Sequence, residues 1–401
     1  MTRQLFYLPV ERYASRWTGY VSGYGGMFAE AARECGVEVE TIAPSNEEYS
    51  ISDGVVLDTA LRAWFGFAQV KTLLGIIQSG EITNDSAIYV EDFWLPGMEM
   101  IPYACQLKGI RPKVYAFCHA QSVDRADFTH SMLPWIRYFE TGWARWLTGI
   151  FVAAKELKQM LIQATASGSE LDFGNAEKLV GAGKVHVTGT VFHRDTMVRM
   201  YPSAFECLPR KNQIVFASRF HAEKAPEFFV ELAREIHERE ELALAWDLVA
   251  VSGRAIPECY KQLLGDLNVE IRENVPKEEY LSILAQSKVS FNCAKQDFVG
   301  YVQLDALAMG CQVLLPDYLT FPDLVRGDRM YLYEPGNVCA ALDKLKYLMS
   351  IELPPVGTTS PALYDRYGAK YERSVARMVD VMYREPTLGE VISAEREGRR
   401  V

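Results

Sequence analysis

No stretch of this sequence approaches the roughly 20 consecutive apolar residues that a membrane-spanning helix needs, so no membrane insertion is expected. The opening segment, MTRQLFYLPVERY, lacks the long apolar core of a secretory leader, because Pro9, Glu11 and Arg12 interrupt it. A cytoplasmic location is the expectation. The eight cysteines include no C-x-x-C pair, which argues against a zinc site or a disulfide framework and leaves core thiols as the reading. Low-complexity tracts and short-period repeats are absent. No D-x-D triplet occurs, so no metal is expected to be required. Excess positive charge is missing too. Lys and Arg number 42 against 52 Asp and Glu, a net charge of -10, which excludes a uniformly basic nucleic-acid-coating surface but not a local basic groove.

What is present is an ordinary globular balance, 49% apolar and 23% charged, over 401 residues. That length suits two domains of similar size. Short apolar runs alternate with helical patterns. Strands are expected at Leu5–Leu8, Val37–Ala43, Ala87–Val90, Lys113–Phe117, Gly149–Ala153 and Lys184–Val187. The periodicity breaks over Met197–Lys211, the best linker candidate. It restarts with strands at Gln213–Ser218, Trp246–Val251, Lys288–Asn292 and Gln312–Leu315. Pro361–Arg384 reads as helical, and the charged end Gly389–Val401 as a tail. The expected fold is α/β: two Rossmann-like domains facing a central cleft, spanning residues 1–195 and 196–375. A C-terminal helix and tail, 376–401, would cross back to the first domain.

Three segments of the second half carry chemistry. The apolar strand run Ile214–Ala217 ends in Ser218-Arg219, and Lys224 follows five residues later, just before a helix. Two cations beyond the carboxyl end of a strand can hold a diphosphate and stabilise the charge that grows on it as a leaving group. The strand Asp247–Val251 runs into Ser252-Gly253-Arg254, where the glycine allows close approach and the arginine can stack on a nucleobase. In the third segment, Asp297 lies in a loop before a helix that opens near Gly300, and Asp305 lies within that helix. The free N–H groups of such a helix end form an anion site.

In this order and spacing, SRFHAEK, VSGR and DFVGYVQLDALAMG resemble the signature of the retaining GT-B glycosyltransferases, the clan that includes glycogen and sucrose synthases. The resemblance covers residues 210–330 well and the first half in outline. It implies that Arg219 and Lys224 bind the donor diphosphate, that Asp305 holds the ribose, and that Asp297 lies near the transferred sugar. Phe298, Val299, Gly300 and Tyr301 would contact sugar and phosphates, Arg254 would bind the nucleotide, and His119 would face the sugar. Two departures stand out: both acids are Asp where the clan has Glu, one methylene shorter, and Ser218 replaces the usual glycine.

The acceptor is expected on the first domain, at Arg16, Trp17, Gly25 and Gly26, and at Asp92 and Asp124 beyond two further strands. The phrases RWTGYVSGYGG, VEDFWLPGMEMIPYA and HAQSVDRADFT resemble glycosyltransferases of tailed bacteriophages. That resemblance implies a hydroxymethylated base in phage DNA as acceptor and the host cytoplasm as location; UDP-glucose is the expected co-substrate, with GDP, ADP and other sugars left open. Arg125, Arg137, Arg145, Lys155 and Lys158 could form the basic patch such a partner needs. Other acceptors stay open: a glycan, a lipid-linked sugar or a small molecule. So do two other classes of protein, a GT-B-like nucleotide-sugar epimerase and a non-catalytic binding protein.

Overall fold

Most strand-forming runs are short, rich in β-branched and aromatic residues, and apolar on both faces, the pattern of a parallel sheet covered by helices on both sides. The computed structural model describes residues 3–13, 16–23, 25–44, 59–125, 128–166, 182–206, 209–298, 300–355, 357 and 361–384. The first six strands are β1 (Arg3–Leu8), β2 (Val37–Thr41), β3 (Ala87–Val90), β4 (Lys113–Cys118), β5 (Gly149–Val152) and β6 (Val185–Val187). They form one sheet in the order β2-β1-β3-β4-β5-β6. The second sheet contains β7 (Gln213–Ala217), β8 (Asp247–Ser252), β9 (Glu270–Glu273), β10 (Val289–Phe291), β11 (Gln312–Pro316) and β12 (Leu332–Tyr333). Its order is β12-β11-β10-β7-β8-β9. Every strand pair in both sheets is parallel.

In each sheet the chain reverses its direction of winding once. The reversal falls between β1 and β3 in the first sheet and between β7 and β10 in the second. Such switch points open a crevice at the carboxyl ends of the two strands concerned. Ligand-binding residues are therefore sought after β1, β3, β7 and β10.

Three local expectations are refined. The linker candidate Met197–Lys211 is partly helical: a helix spans Arg194–Met200 and a helical turn Pro202–Phe205. The segment is anchored because Met197, Ala204 and Phe205 are buried and the Arg194 guanidinium donates to the carbonyls of Ala308 and Gly357. Pro361–Arg384 is helical, as its pattern suggests, but in pieces. A π-type turn at Tyr364–Gly368 and a 3-10 turn at Ala369–Tyr371 precede the helix Ser374–Tyr383. The Tyr364 ring lies over Gly368, where a Cβ would come within 2.3 Å of it. Strands β9 and β12, at the two edges of the second sheet, were not expected at all.

The helix Ser374–Tyr383 packs on the first domain, although it follows the second in sequence. Its Tyr383 hydroxyl donates to the Gln4 carbonyl at 2.8 Å. Val375, Met378, Val379 and Met382 are buried in one core cluster with Leu5, Tyr7, Phe28 and Tyr115.

Candidate active site

The four loops at the two switch points meet. After β7 come Arg219 and Lys224, and after β10 comes Asp297. Lys224 Nζ lies 3.3 Å from Asp297 Oδ2 and 2.9 Å from the Gln296 carbonyl. The Lys224 cation thus fastens the β10 loop to the β7 loop. Arg219 Nη2 lies 3.0 Å from Glu223 Oε1. Glu223 in turn accepts the Lys295 amide through its carbonyl at 2.9 Å.

A cluster of guanidinium groups forms across the cleft. Burial lowers the pKa of Arg254 to about 10, with Arg219 and Arg16 lowering it further by like-charge repulsion. Burial also lowers that of Arg16, which stands 5.5 Å from the Tyr13 ring and is repelled by Arg219 and Arg62. Neither Arg16 nor Arg254 forms an ion pair among the described residues. Desolvated cations gathered at one place, with Glu11 and Glu223 offsetting only part of their charge, have the electrostatics to receive an anion. Sequence reading assigned Arg16 to the acceptor half; the fold brings it to Arg219 and Arg254.

Asp305 is enclosed. Its side chain is 2% exposed and its Oδ2 is 2.5 Å from Lys277 Nζ. Tyr20, from the first domain, donates to Oδ1 at 3.3 Å. Burial raises the Asp305 pKa and lowers that of Lys277, and the contact between them opposes both shifts. Lys277 also lies 4.5 Å from the Tyr20 ring and 4.7 Å from the Tyr280 ring. The structure therefore sets Asp305 inside an interdomain clamp formed with Lys277 and Tyr20.

The helix Tyr301–Ala308 opens against the first domain. Tyr301 stacks on Trp17 with ring centroids 5.0 Å apart and an interplanar angle of 1°. Its hydroxyl accepts from Thr190 at 2.6 Å and donates to the Val191 carbonyl at 3.1 Å. Phe298 is buried among first-domain residues that include Phe93, Leu95 and Cys118. Val299 lies outside the described residues. Gly300 leaves its neighbours undisturbed: a Cβ there would come within 1.7 Å of Gln303 Oε1 and 2.8 Å of Asp297 Oδ2 and would displace those side-chain ends.

On the facing side, His119 follows β4. Its Nε2 is 2.9 Å from the Glu91 carbonyl, which can only accept, so Nε2 carries the proton and Nδ1 is left as an acceptor. Burial lowers the His119 pKa, so the ring is neutral near pH 7. Its ring lies 5.1 Å from Trp17. Glu91, directly after β3, is buried; its Oε2 accepts from Tyr7 Oη, Val10 N and Ser22 Oγ at 2.7, 2.9 and 2.7 Å. Burial pushes its carboxyl up to about 7.

Asp92 is bound to Arg62 at 2.6 Å, and Arg62 also binds Glu11. Asp124 is buried beside the turn Gln121–Val123. Gly25 and Gly26 precede the helix Met27–Glu34, and Gly26 sits where a Cβ would strike the carbonyls of Val21 and Ser22 at 2.6 Å. Arg16 and Trp17 thus join the donor-side cluster, while Asp92 is held by Arg62 and Gly26 lies close against the Val21 and Ser22 carbonyls.

Among the described residues, no group of three or more His, Cys, Asp or Glu side chains is placed to hold a metal ion. No described helix is long and apolar enough to cross a membrane. A cavity of about 380 Å³ opens on the β12 side of Lys224, lined by Phe228, Cys293, Lys295, Tyr318 and Tyr333. It holds none of the guanidinium groups.

Comparison with known proteins agrees with this geometry. Residues 211–350 match the family described as glycosyl transferases group 1. The α,α-trehalose 6-phosphate synthase of Burkholderia multivorans superposes with a TM-score of 0.62 at 12% identity, covering 100% of this chain and 99% of that one. The chain has the GT-B fold. Sucrose-phosphate synthase of Thermosynechococcus elongatus shares this GT-B architecture, with a TM-score of 0.59, 13% identity, and coverage of 99% and 100%. In sequence, the tRNA-queuosine alpha-mannosyltransferase of Drosophila melanogaster is 24% identical over 136 residues, 33% of this chain and 34% of that protein. The GT-B chain thus spans about a third of the length of that curated relative.

Sequence reading missed Lys277, Arg62 and Gln303. Lys277 opens a helix with two acids after it and reads as a solvated N-terminal residue. Nothing local shows that it lies under Asp305.

Proposed function

We propose that this protein transfers a hexosyl group from a nucleoside-diphosphate sugar to an acceptor hydroxyl, with retention at the anomeric carbon. The observation that carries the reading is the convergence of Arg16, Arg219 and Arg254 beside the Lys224–Asp297 pair, where the two switch-point crevices face each other. A diphosphate bound there loses its hydration and gains fixed positive charge. As the glycosidic bond to the phosphate oxygen breaks, these cations stabilise the charge left on the leaving group. A leaving phosphate oxygen takes the acceptor proton as the new glycosidic bond forms on the same face. Asp297 and the neutral His119 flank the sugar as hydrogen-bonding partners.

UDP-glucose is the proposed donor and a hydroxymethylated base in phage DNA the proposed acceptor. The similarity to a protein named for tRNA-queuosine supports a nucleic-acid acceptor in general. The test is UDP release from UDP-glucose with hydroxymethylated DNA, unmodified DNA or no acceptor, with nucleoside mass as the product readout. Arg254→Ala and Arg219→Ala should each lower turnover at least about a hundredfold, in line with the loss of one charge-stabilising donor. Near-wild-type turnover in both variants would remove the assignment of the site. Release with every acceptor except DNA would redirect the acceptor alone.

A further inference from the structure

Gln303 is wholly buried, and neither its Oε1 nor its Nε2 has a hydrogen-bonding partner. An amide shut away from water without partners is destabilising, so its retention calls for a reason. Its position supplies one. The amide occupies the space where any side chain at 300 would begin, with Oε1 at 1.7 Å and Asp297 Oδ2 at 2.8 Å from the same point. A side chain at 300 would displace the amide from this place, and glycine does not. The two ends of a side-chain amide are interchangeable by a half-turn, which would bring the NH₂ group to face the carboxylate. Lys224 Nζ already holds Oδ2 from the β7 side at 3.3 Å.

We infer that Gln303 is a positioning residue: its amide donates to the Asp297 carboxylate from beneath Gly300, fixing the angle at which that carboxylate meets the donor sugar. The inference rests on the glycosyltransferase reading and deepens it. Asp297 is one methylene shorter than the glutamate of the resembling clan, so its reach depends more closely on what holds it. Held by Lys224 alone, the carboxylate can swing about a single contact. Held also by Gln303, one oxygen is fixed and the other is directed to a sugar hydroxyl. Gly300 then has two tasks, since its missing side chain admits the amide on one side and its backbone approaches the donor on the other.

The test compares wild type with Gln303→Met, which keeps length and volume but cannot donate, and Gln303→Glu, which sets a second carboxylate against the first. Wild type is assayed first with UDP-glucose, GDP-glucose and ADP-glucose, and the donor turned over is used throughout. Expected are a fall in kcat of about tenfold for Gln303→Met and more for Gln303→Glu. Affinity for the free nucleoside diphosphate should stay within twofold, and the melting temperature of Gln303→Met should not fall. Wild-type kcat in both variants would overturn the inference. So would a parallel loss of nucleotide affinity and turnover, which marks a merely structural residue. If Gln303→Met does not fold, Gln303→Ala is judged by the same ratio. A wild-type protein that binds and turns over none of the three donors removes the glycosyltransferase reading itself; an active wild type with unchanged variants removes only the role of Gln303.

Discussion

A carboxyl group whose pKa is pushed up to about 7 inside a sheet-end crevice makes Glu91 a pH-sensitive residue. Burial is the main cause, and the three donors on Oε2 only partly offset it. In the unfolded chain the group titrates near its ordinary value of 4.5. Between that value and about 7 the folded state holds the proton more tightly, so stability falls as pH rises through this window and stays lower above it. At about 1.4 kcal/mol per pKa unit, the whole effect is on the order of 3 kcal/mol. Glu91→Gln removes the titration while its carbonyl can still accept from Tyr7, Val10 and Ser22. Its melting temperature should match wild type near pH 5 and exceed it by a few degrees near pH 7.5. A variant that melts below wild type at pH 7.5 would show that the carboxylate itself is required. The residue was visible in the sequence only as one acid among several after a strand. Its perturbation comes from burial, and the donors that partly offset it, Tyr7 and Ser22, lie 84 and 69 positions away, which no local pattern reveals.

Two helices meet at the clamp between Lys277, on Lys277–Gln286, and Asp305, on Tyr301–Ala308. Removing one member of a buried pair strands the other's charge, at a cost of about 3–5 kcal/mol. Lys277→Met should therefore destabilise strongly, and Lys277→Met with Asp305→Leu far less, as chemical denaturation of the two would report. Equal losses would mean that the pair contributes only packing. At this scale the sequence was most readable where elements are fully covered. Strands β7, β8, β10 and β11 are continuous apolar runs, and each was expected within a residue or two. Edge strands failed for the opposite reason. β9 reads EIRE, with half its side chains in water, and β12 has two residues. The segment 194–205 failed because its anchors, Ala308 and Gly357, lie more than 100 residues away in the chain. For the site, the order of the strand-end cations and acids was legible; which of them are open and which enclosed was not, because Lys277 and Tyr20 approach Asp305 from other elements.

At the scale of the molecule, the two domains are tied by more than the chain that crosses between them. Tyr301 on Trp17, Phe298 in the first-domain core, and Tyr20 on Asp305 bridge the cleft at its mouth. The helix Ser374–Tyr383 bridges it from behind, returning from the second domain to pack on the first. Its Tyr383 and Val381 reach Gln4 and Tyr115, and its four buried apolar side chains share that domain's core. The first domain is thus incomplete without the last helix, and cleavage or unfolding there removes part of its core. Met378 and Met382 are both fully buried. Each change to Ala should cost about 2–5 kcal/mol through lost burial and the cavity left behind. Since the helix joins the domains, the loss should also change how the protein unfolds. Wild type should show one calorimetric transition, whereas Met378→Ala with Met382→Ala should give two, the first domain melting first. A double variant that lowers the melting temperature but keeps a single transition would mean that the contacts at the cleft mouth couple the domains without help from the C-terminal helix.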